Sequence, residues 1–374
     1  MKKVLIPLAV MTAAGAASAQ SSVTLFGIID TTVEHGSASG PGSTRITQLT
    51  NSGYNSSRIG VRGREDLGGG LAASFWLEGS LGTDDGRAGG AIPAGNQAVT
   101  AQAGSGLNFN RRSTLSLEGD WGEVRAGRDY TAPFLGLLKY DPFLTNGVGT
   151  SLGFAGAAAN GLAPSGTAGV LGRASNSVGY FLPSNLRGFY GQAQYFLGEN
   201  VQNGATTEHD GNGFGVRGGY AMGPLDVSAS YGRTKFAQTA GTGDFKTWNV
   251  GGQWDFGVVQ VMAEYGRDRR DSLAAVEGTQ WLVGANVPVG PGTIRTSYST
   301  YKADMNTPGL ANPRAGKLAL GYVYNLSKRT AIYTTVARVK NQDGSAIALG
   351  GATIGAGVGN ASSTGFDVGV RHSF

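Results

Sequence analysis

Arg58, Arg62, Arg112 and Arg173 are the side chains of this 374-residue chain best equipped to act on a small ion. A guanidinium stays charged throughout the physiological pH range and presents parallel N–H donors to a carboxylate or phosphate, so a group of them implies holding or steering anions. Bond-breaking chemistry has no comparable support. The three histidines, His35, His209 and His372, belong to no Ser–His–carboxylate arrangement, and their spacing suits no metal site. There is no cysteine, which removes disulfides and thiolate metal ligands. Gly68-Gly69-Gly70 and Gly211-Asn212-Gly213 lack the strand–turn–helix setting of a phosphate loop and read as turns. Neither a cofactor nor a metal is expected. The formal charge of +5 falls to +3 without Lys2 and Lys3, too little to imply nucleic acid.

The elements that must position the arginines are strands. Met1-Lys2-Lys3, the apolar run Val4 to Ala14 and the small-residue site Ala17-Ser18-Ala19 read as a secretory signal peptide over 1–19, leaving one domain over 20–374. Glycine makes up 64 of 374 residues without a collagen period, and beyond the signal no apolar run reaches the 18 residues of a transmembrane helix. Alternating segments fall near 23–34, 57–66, 71–81, 111–119, 123–130, 175–183, 189–198 and 213–222. Eight more fall near 225–234, 245–256, 258–269, 279–289, 292–303, 314–325, 330–341 and 364–374, which makes sixteen. An even number of strands, each near 9–11 residues, is what a transmembrane barrel requires. The connectors alternate as well. Short turns such as Gly223-Pro224 and Gly290-Pro291-Gly292 take turns with long Gly-, Ala- and Ser-rich stretches such as 35–56, 82–110, 131–174 and 342–363.

Within each strand the charges keep to one parity. Arg112, Thr114, Ser116 and Glu118 oppose Leu115 and Leu117; Gln260, Met262, Glu264 and Asp268 oppose Val259, Val261, Ala263 and Tyr265. The apolar parity carries Gly, Ala and Thr mid-strand, with Trp248, Trp254, Tyr265, Tyr298, Tyr322 and Tyr324 near the ends. That composition suits a lipid-facing band between aromatic girdles, with the polar parity around an aqueous lumen. Counting parity-assigned lumen charges gives twelve cations, Arg338 and Lys340 among them, against ten carboxylates. The terminal run Phe366-Asp367-Val368-Gly369-Val370-Arg371-His372-Ser373-Phe374 must pair with the first strand, because an unpaired edge is not tolerated in lipid.

The chain also resembles the trimeric general porins of Gram-negative bacteria, in their β-proteobacterial branch. The resemblance is carried by Ser22 to Gly27, the run SRIGVRGREDLGGGL from Ser57 to Leu71, Ala73 to Gly79, and Asn110-Arg111-Arg112. Gly127-Arg128-Asp129-Tyr130, Asn176 to Tyr180 and the terminal Phe374 extend it to the end of the chain. It implies a homotrimer of sixteen-stranded antiparallel β-barrels in the bacterial outer membrane, in contact with its lipid and lipopolysaccharide. It also implies a third long loop, residues 131–174, folded into the pore, and a final Phe374 read by the barrel assembly machinery. Its anion-selective members line the constriction with a small arginine cluster, which maps here onto Arg58, Arg112 and Arg173. Arg62 lies beside them on the inward parity, while Glu78 and Glu264 face inward and temper the field. Residues 131–172 contribute only Lys139 and Asp141, so the loop itself is almost neutral.

The expected function is passive diffusion of small hydrophilic solutes with a mild preference for anions, selected by width and fixed charge. Two other outcomes stay open on sequence: a substrate-specific channel for organic acid anions, and a structural or adhesive barrel plugged by its loops. Asp84-Asp85 reads as a solvated loop pair, with divalent-ion or lipopolysaccharide contact as the alternative.

Overall fold

A computed structural model describes residues 22–39, 44–90, 92–93, 101–102, 106–159, 172–349 and 358–374; the signal peptide expected over 1–19 lies outside the described residues. Seventeen strands make one antiparallel sheet closed on itself. They are β1 (Ser22–Ala38), β2 (Arg45–Asn51), β3 (Arg58–Gly68), β4 (Leu71–Ser80), β5 (Arg112–Gly119), β6 (Gly122–Tyr130), β7 (Arg173–Phe181), β8 (Phe189–Phe196) and β9 (Gly213–Met222). The ring continues with β10 (Leu225–Thr234), β11 (Asp244–Asp255), β12 (Gln260–Asp271), β13 (Val276–Val289), β14 (Gly292–Asp304), β15 (Arg314–Asn325), β16 (Thr330–Gln342) and β17 (Ser362–Ser373). Two helices, α1 (Ala132–Tyr140) and α2 (Leu152–Ala159), lie between β6 and β7.

Closure is made by β17 on β1, in register from Ile28↔Ser373 to Ala38↔Ser363. Phe374 adds two backbone hydrogen bonds with Gly27, at 3.1 and 3.2 Å. Its ring lies over Gly27, where any side chain larger than hydrogen would collide with it.

Strands β2 and β3 both pair with β1, along Thr31–Ser37 and Ser22–Ile28 respectively. They are two halves of one interrupted barrel strand, so the ring has sixteen positions. The long connector expected over 35–56 is therefore shorter, because 35–38 and 45–51 belong to the wall. The interruption at 52–57 hid this extension. It is organised by buried Asp30, whose Oδ2 accepts from the amides of Tyr54 and Asn55 at 2.9 and 2.6 Å, while Tyr333 donates its hydroxyl to Oδ1.

Alternation sorts the two faces. Leu115 and Leu117 are 65% and 44% exposed, whereas Thr114 and Ser116 between and beside them are buried. Val250, Val283, Leu320 and Val336 are exposed in the same way, and Asn249, Glu264, Ser297 and Thr335 are buried. An apolar face running round the entire ring exceeds anything a water-soluble monomer leaves exposed, and only lipid covers it. Aromatic pairs bound it at the long-loop end (Trp248–Tyr265, centroids 5.6 Å; Trp281–Tyr298, 5.3 Å) and at the short-turn end (Trp254–Phe256, 6.2 Å; Tyr322–Tyr324, 6.5 Å).

Arg338 and Lys340 depart from expectation. Both are exposed on the outer face, while Tyr333 and Val339 are buried on the inner one. The cause is local packing: Ala337 and Val339 join Phe143, Leu152, Ile347 and Leu349 in an apolar cluster inside the barrel. At this level loops fill the lumen, so the apolar parity points inward and the charged parity outward.

Candidate functional site: an arginine-lined recess in the lumen

Helix α1 begins at Thr131, whose hydroxyl accepts from the Phe134 amide at 3.4 Å, with Pro133 in the first turn, where its missing N–H costs nothing. Gly136 lies so close to Asn249 that a Cβ would collide with it, and Asn249 Nδ2 donates to the Pro133 carbonyl at 2.9 Å. At the far end, the Tyr140 hydroxyl donates to Asp226 Oδ1 at 3.1 Å, and Lys139 forms an ion pair with the same carboxylate. Beyond the helix, Arg295 donates to the Pro142 carbonyl at 3.3 Å. The Val148 amide donates to Asp367 at 3.2 Å, and the Leu152 amide to Ser299 at 3.1 Å. These partners stand on β10, β11, β14 and β17, all on the buried inner face. The segment 131–152 is thus tied to the inside of the wall at several points round the ring.

Between this segment and strands β3–β7 lies a cavity of about 560 Å³ lined by Arg58, Arg111, Arg128, Arg173, Glu78 and Tyr130, among others. Glu78 is the shared counter-charge. Its Oε1 accepts from Arg111 Nε at 2.6 Å and lies 3.7 Å from Arg58 Nε, and its Oε2 accepts from the Trp76 indole at 3.1 Å. The Tyr130 hydroxyl accepts from Arg173 at 2.9 Å and from Arg111 at 3.2 Å, and Arg173 stacks on the Tyr130 ring at 4.4 Å. Arg128 donates to the Asn110 carbonyl at 2.7 Å and to Ser175 Oγ at 2.8 Å. Four fixed guanidiniums thus face one carboxylate. The loop contributes Phe134, Leu138, Leu144, Thr145 and Asn146 to the same cavity, all neutral.

The other residues singled out from sequence lie elsewhere. Arg112 points below the recess, 3.7 Å from Asp129, over the Trp76 ring at 4.7 Å. Arg62 is more exposed and stacks on Trp76 and Phe26 at 5.0 and 5.3 Å, one step nearer the short-turn rim. Glu264 is buried beside Leu137, Ser151 and Gly153 in a separate small cleft. Asp141 is 1% exposed and presents no charge to the recess. Its carboxylate accepts from the amides of Phe143, Thr145 and Ser151, which holds the loop in shape.

Arg111 and Arg128 line the recess without having been chosen from the sequence. Strict alternation places each opposite its inward neighbour, but neither obeys it. Arg111 precedes β5, where pairing starts at Glu78↔Arg112, and its chain is free to turn inward. Arg128 sits at the register shift between Gly127 and Asp129, and Gly127 has φ +124°. An isolated glycine inside a strand pattern is the sequence mark of such a bulge, and a bulge re-aims the side chain after it.

A family model described as Gram-negative porin matches residues 8–344. Outer membrane porin protein 32 of Delftia acidovorans is 39% identical over 380 residues, covering 100% of both chains. An outer membrane porin protein of Bordetella pertussis is 27% identical over 432 residues, again covering 100% of both. Among solved structures, an anion-selective porin from Comamonas acidovorans superposes with TM-score 0.81 at 36% identity, over 95% of this chain and 100% of that one. The trimer form of OmpT from Vibrio cholerae shares the fold, with TM-score 0.62 at 16% identity over 95% of this chain and 99% of that one.

Proposed function

The chain belongs to the Gram-negative porin family, and on that premise we propose that its recess of four guanidiniums around Glu78 is the constriction of a mildly anion-preferring diffusion pore. As a porin it is a channel of the bacterial outer membrane, crossing it with many strands, and not an enzyme. The charge imbalance carries the proposal. The wall side holds more positive charge than Glu78 neutralises, and the loop side adds none of either sign. In a narrow passage with low-dielectric walls, uncompensated fixed charge concentrates counter-ions and excludes co-ions. Loop residues 131–152 narrow the lumen at this level, and Arg62 and Arg112 extend the positive lining toward the periplasmic rim. Small anions and neutral hydrophilic solutes pass, and no cofactor takes part.

In a planar bilayer with a salt gradient, the purified protein conducts, and its reversal potential shifts toward the anion equilibrium value. A shift toward the cation value would refute the selectivity, and absence of conductance would refute the pore.

The same recess supports a second reading, a binding step for organic acid anions. Tyr130 fixes Arg111 and Arg173 from one hydroxyl, so their donors are already in place before an anion arrives. Block of chloride current by a dicarboxylate, saturating with concentration, distinguishes binding from simple sieving.

The proposed partners follow from the same membership: two further copies in a homotrimer, outer-membrane lipid and lipopolysaccharide, and the barrel assembly machinery. Phe374 is the proposed signal for the last of these, and its ring also covers the closure seam at Gly27. Deletion of Phe374 therefore lowers the amount of folded protein in outer-membrane fractions several-fold while leaving synthesis unchanged. Equal amounts of heat-modifiable protein from both chains would remove that role.

A further inference from the structure

Strand β1 meets an uneven partner where β2 gives way to β3. Pairing with β2 ends at Thr31↔Asn51 and pairing with β3 begins at Ile28↔Arg58, so residues 52–57 stand against Ile29 and Asp30 alone. Six residues cannot lie flat beside two, and the surplus must leave the plane of the sheet. Asp30 decides the direction. It is fully buried on the inner face, and its carboxylate takes the amides of Tyr54 and Asn55. Its own carbonyl accepts from the Ser52 amide and from Ser57 Oγ, both at 3.0 Å.

The displaced segment turns into the lumen. The Tyr54 ring lies 5.6 Å from that of Tyr333 on β16, and Arg371 of β17 stands over it at 5.5 Å. Arg371 Nε also donates to Asn55 Oδ1 at 3.0 Å. The segment then meets the tip of loop 131–152 through a hydrogen bond, a close approach and a shared cation. Ser56 Oγ donates to Asn146 Oδ1 at 2.7 Å. Gly147 lies so close to the Gly53 carbonyl that a Cβ would collide with it. Arg295 of β14 is held between the Tyr54 and Phe143 rings, at 4.6 and 4.7 Å. Asn55, Ser56 and Asn146 all line the arginine recess, and Arg58 donates to the Ser56 carbonyl at 3.3 Å.

We propose that residues 53–57 form a second jaw of the constriction, on which the loop tip is seated, and that Asp30 is the positioning residue of that jaw. The width of a passage is fixed only when both of its borders are fixed. Ties to the barrel wall hold one side of the loop, and the jaw stops its tip. Asp30 meets no permeating ion, because it is 0% exposed. It acts through the backbone amides it holds, and through them on Ser56 and Arg58. This role rests on the recess being the constriction and on no particular ion preference.

Single-channel recording of D30A, D30N and S56A tests the jaw. Wild-type protein should hold one steady open level. D30A leaves the Tyr54 and Asn55 amides without their acceptor, so each folded channel should flicker among levels, with open-channel noise several times that of wild type. D30N should restore the steady level, because its amide oxygen still accepts from both amides and its nitrogen can donate to the Tyr333 hydroxyl. S56A leaves the Asp30 network whole and should admit larger neutral polymers than wild type. Hydrogen exchange supplies a readout that needs no current. In D30A, exchange should quicken at 53–57 and also at 143–148, although Asp30 has no hydrogen bond to that stretch among the described residues. Wild-type current through each folded D30A and S56A channel, with only the yield of folded protein lowered, overturns the jaw. So does quickened exchange confined to 53–57, and D30N behaving like D30A would replace position by charge. Failure of the anion preference appears instead in the wild-type reversal potential, where the exchange result still decides the jaw.

Discussion

Exchanging Arg58 and Arg173 together for glutamate turns the anion preference of the pore into a cation preference. Both side chains line the recess, and the double change replaces two positive charges by two negative ones beside an existing carboxylate, Glu78. At ~5 Å and an effective permittivity of about 20, one unit charge changes the energy of a passing ion by about 3 kcal/mol. Screening at physiological ionic strength acts over about 8 Å and reduces this. Even about 1 kcal/mol per charge altered moves the anion-to-cation permeability ratio by well over tenfold, because about 1.4 kcal/mol is a factor of ten. The reversal potential in a salt gradient should change sign, and the wild-type preference should fade as salt approaches about 1 M, where screening acts within about 3 Å. Arg111→Gln is the informative contrast. Its side chain is 10% exposed and holds Glu78 at 2.6 Å, so its loss unsettles the packing of the recess more than the field in the passage. A reversal potential unmoved by R58E/R173E would remove the recess from the mechanism.

Most of the wall was legible because a strand has a period of two and a barrel in lipid has two chemically opposite faces. Leu115 against Thr114 and Glu264 against Tyr265 needed nothing beyond alternation. Legibility ends where a residue leaves the ladder or the lumen stops being aqueous. Arg111 sits just before its strand and Arg128 within a bulge, so both lie inside the recess despite their parity. Arg338 and Lys340 fail for the opposite reason. Their strand is regular, but the loops fill the barrel at that level and reverse which face is apolar. Asp141 shows a third limit. Its position between a helix and a turn gives the carboxylate backbone amides to cap, a use that charge counting cannot distinguish from lining a pore. Arg58 and Arg173 were found from the sequence because each is the first residue of its strand and already paired in the ladder, so their directions follow from their neighbours.

Val216→Arg destabilises the barrel by about 2–4 kcal/mol, although the next residue along is already an arginine. Val216 lies mid-way along β9, 42% exposed on the outer face, opposite Ala193 and Tyr231. A guanidinium there must be carried into hydrocarbon, and the backbone on either side offers it no free acceptor. Arg217 turns the other way, stacks on the Tyr190 ring at 5.1 Å and donates to Ser228 at 3.3 Å, in contact with the lumen. Gln192 pairs directly opposite Arg217, and its buried Nε2 has no partner. Gln192→Glu gives Arg217 a counter-charge, so it should leave stability within about 1 kcal/mol of wild type or raise it, at some loss of anion current. Denaturant midpoints of protein reconstituted in vesicles measure both. The pair separates two barrels that one sequence pattern could describe: one with a packed core inside, one with water inside and lipid outside. In the first, Val216 would be a core position and Gln192 a surface one, and Gln192→Arg would be as harmless as Gln192→Glu. In the second, the cost of Val216→Arg depends on bilayer depth and should shrink for the same change at Tyr220, near the aromatic edge. That gradient along one face belongs to a membrane alone, because a protein core has no interface at each end of a strand.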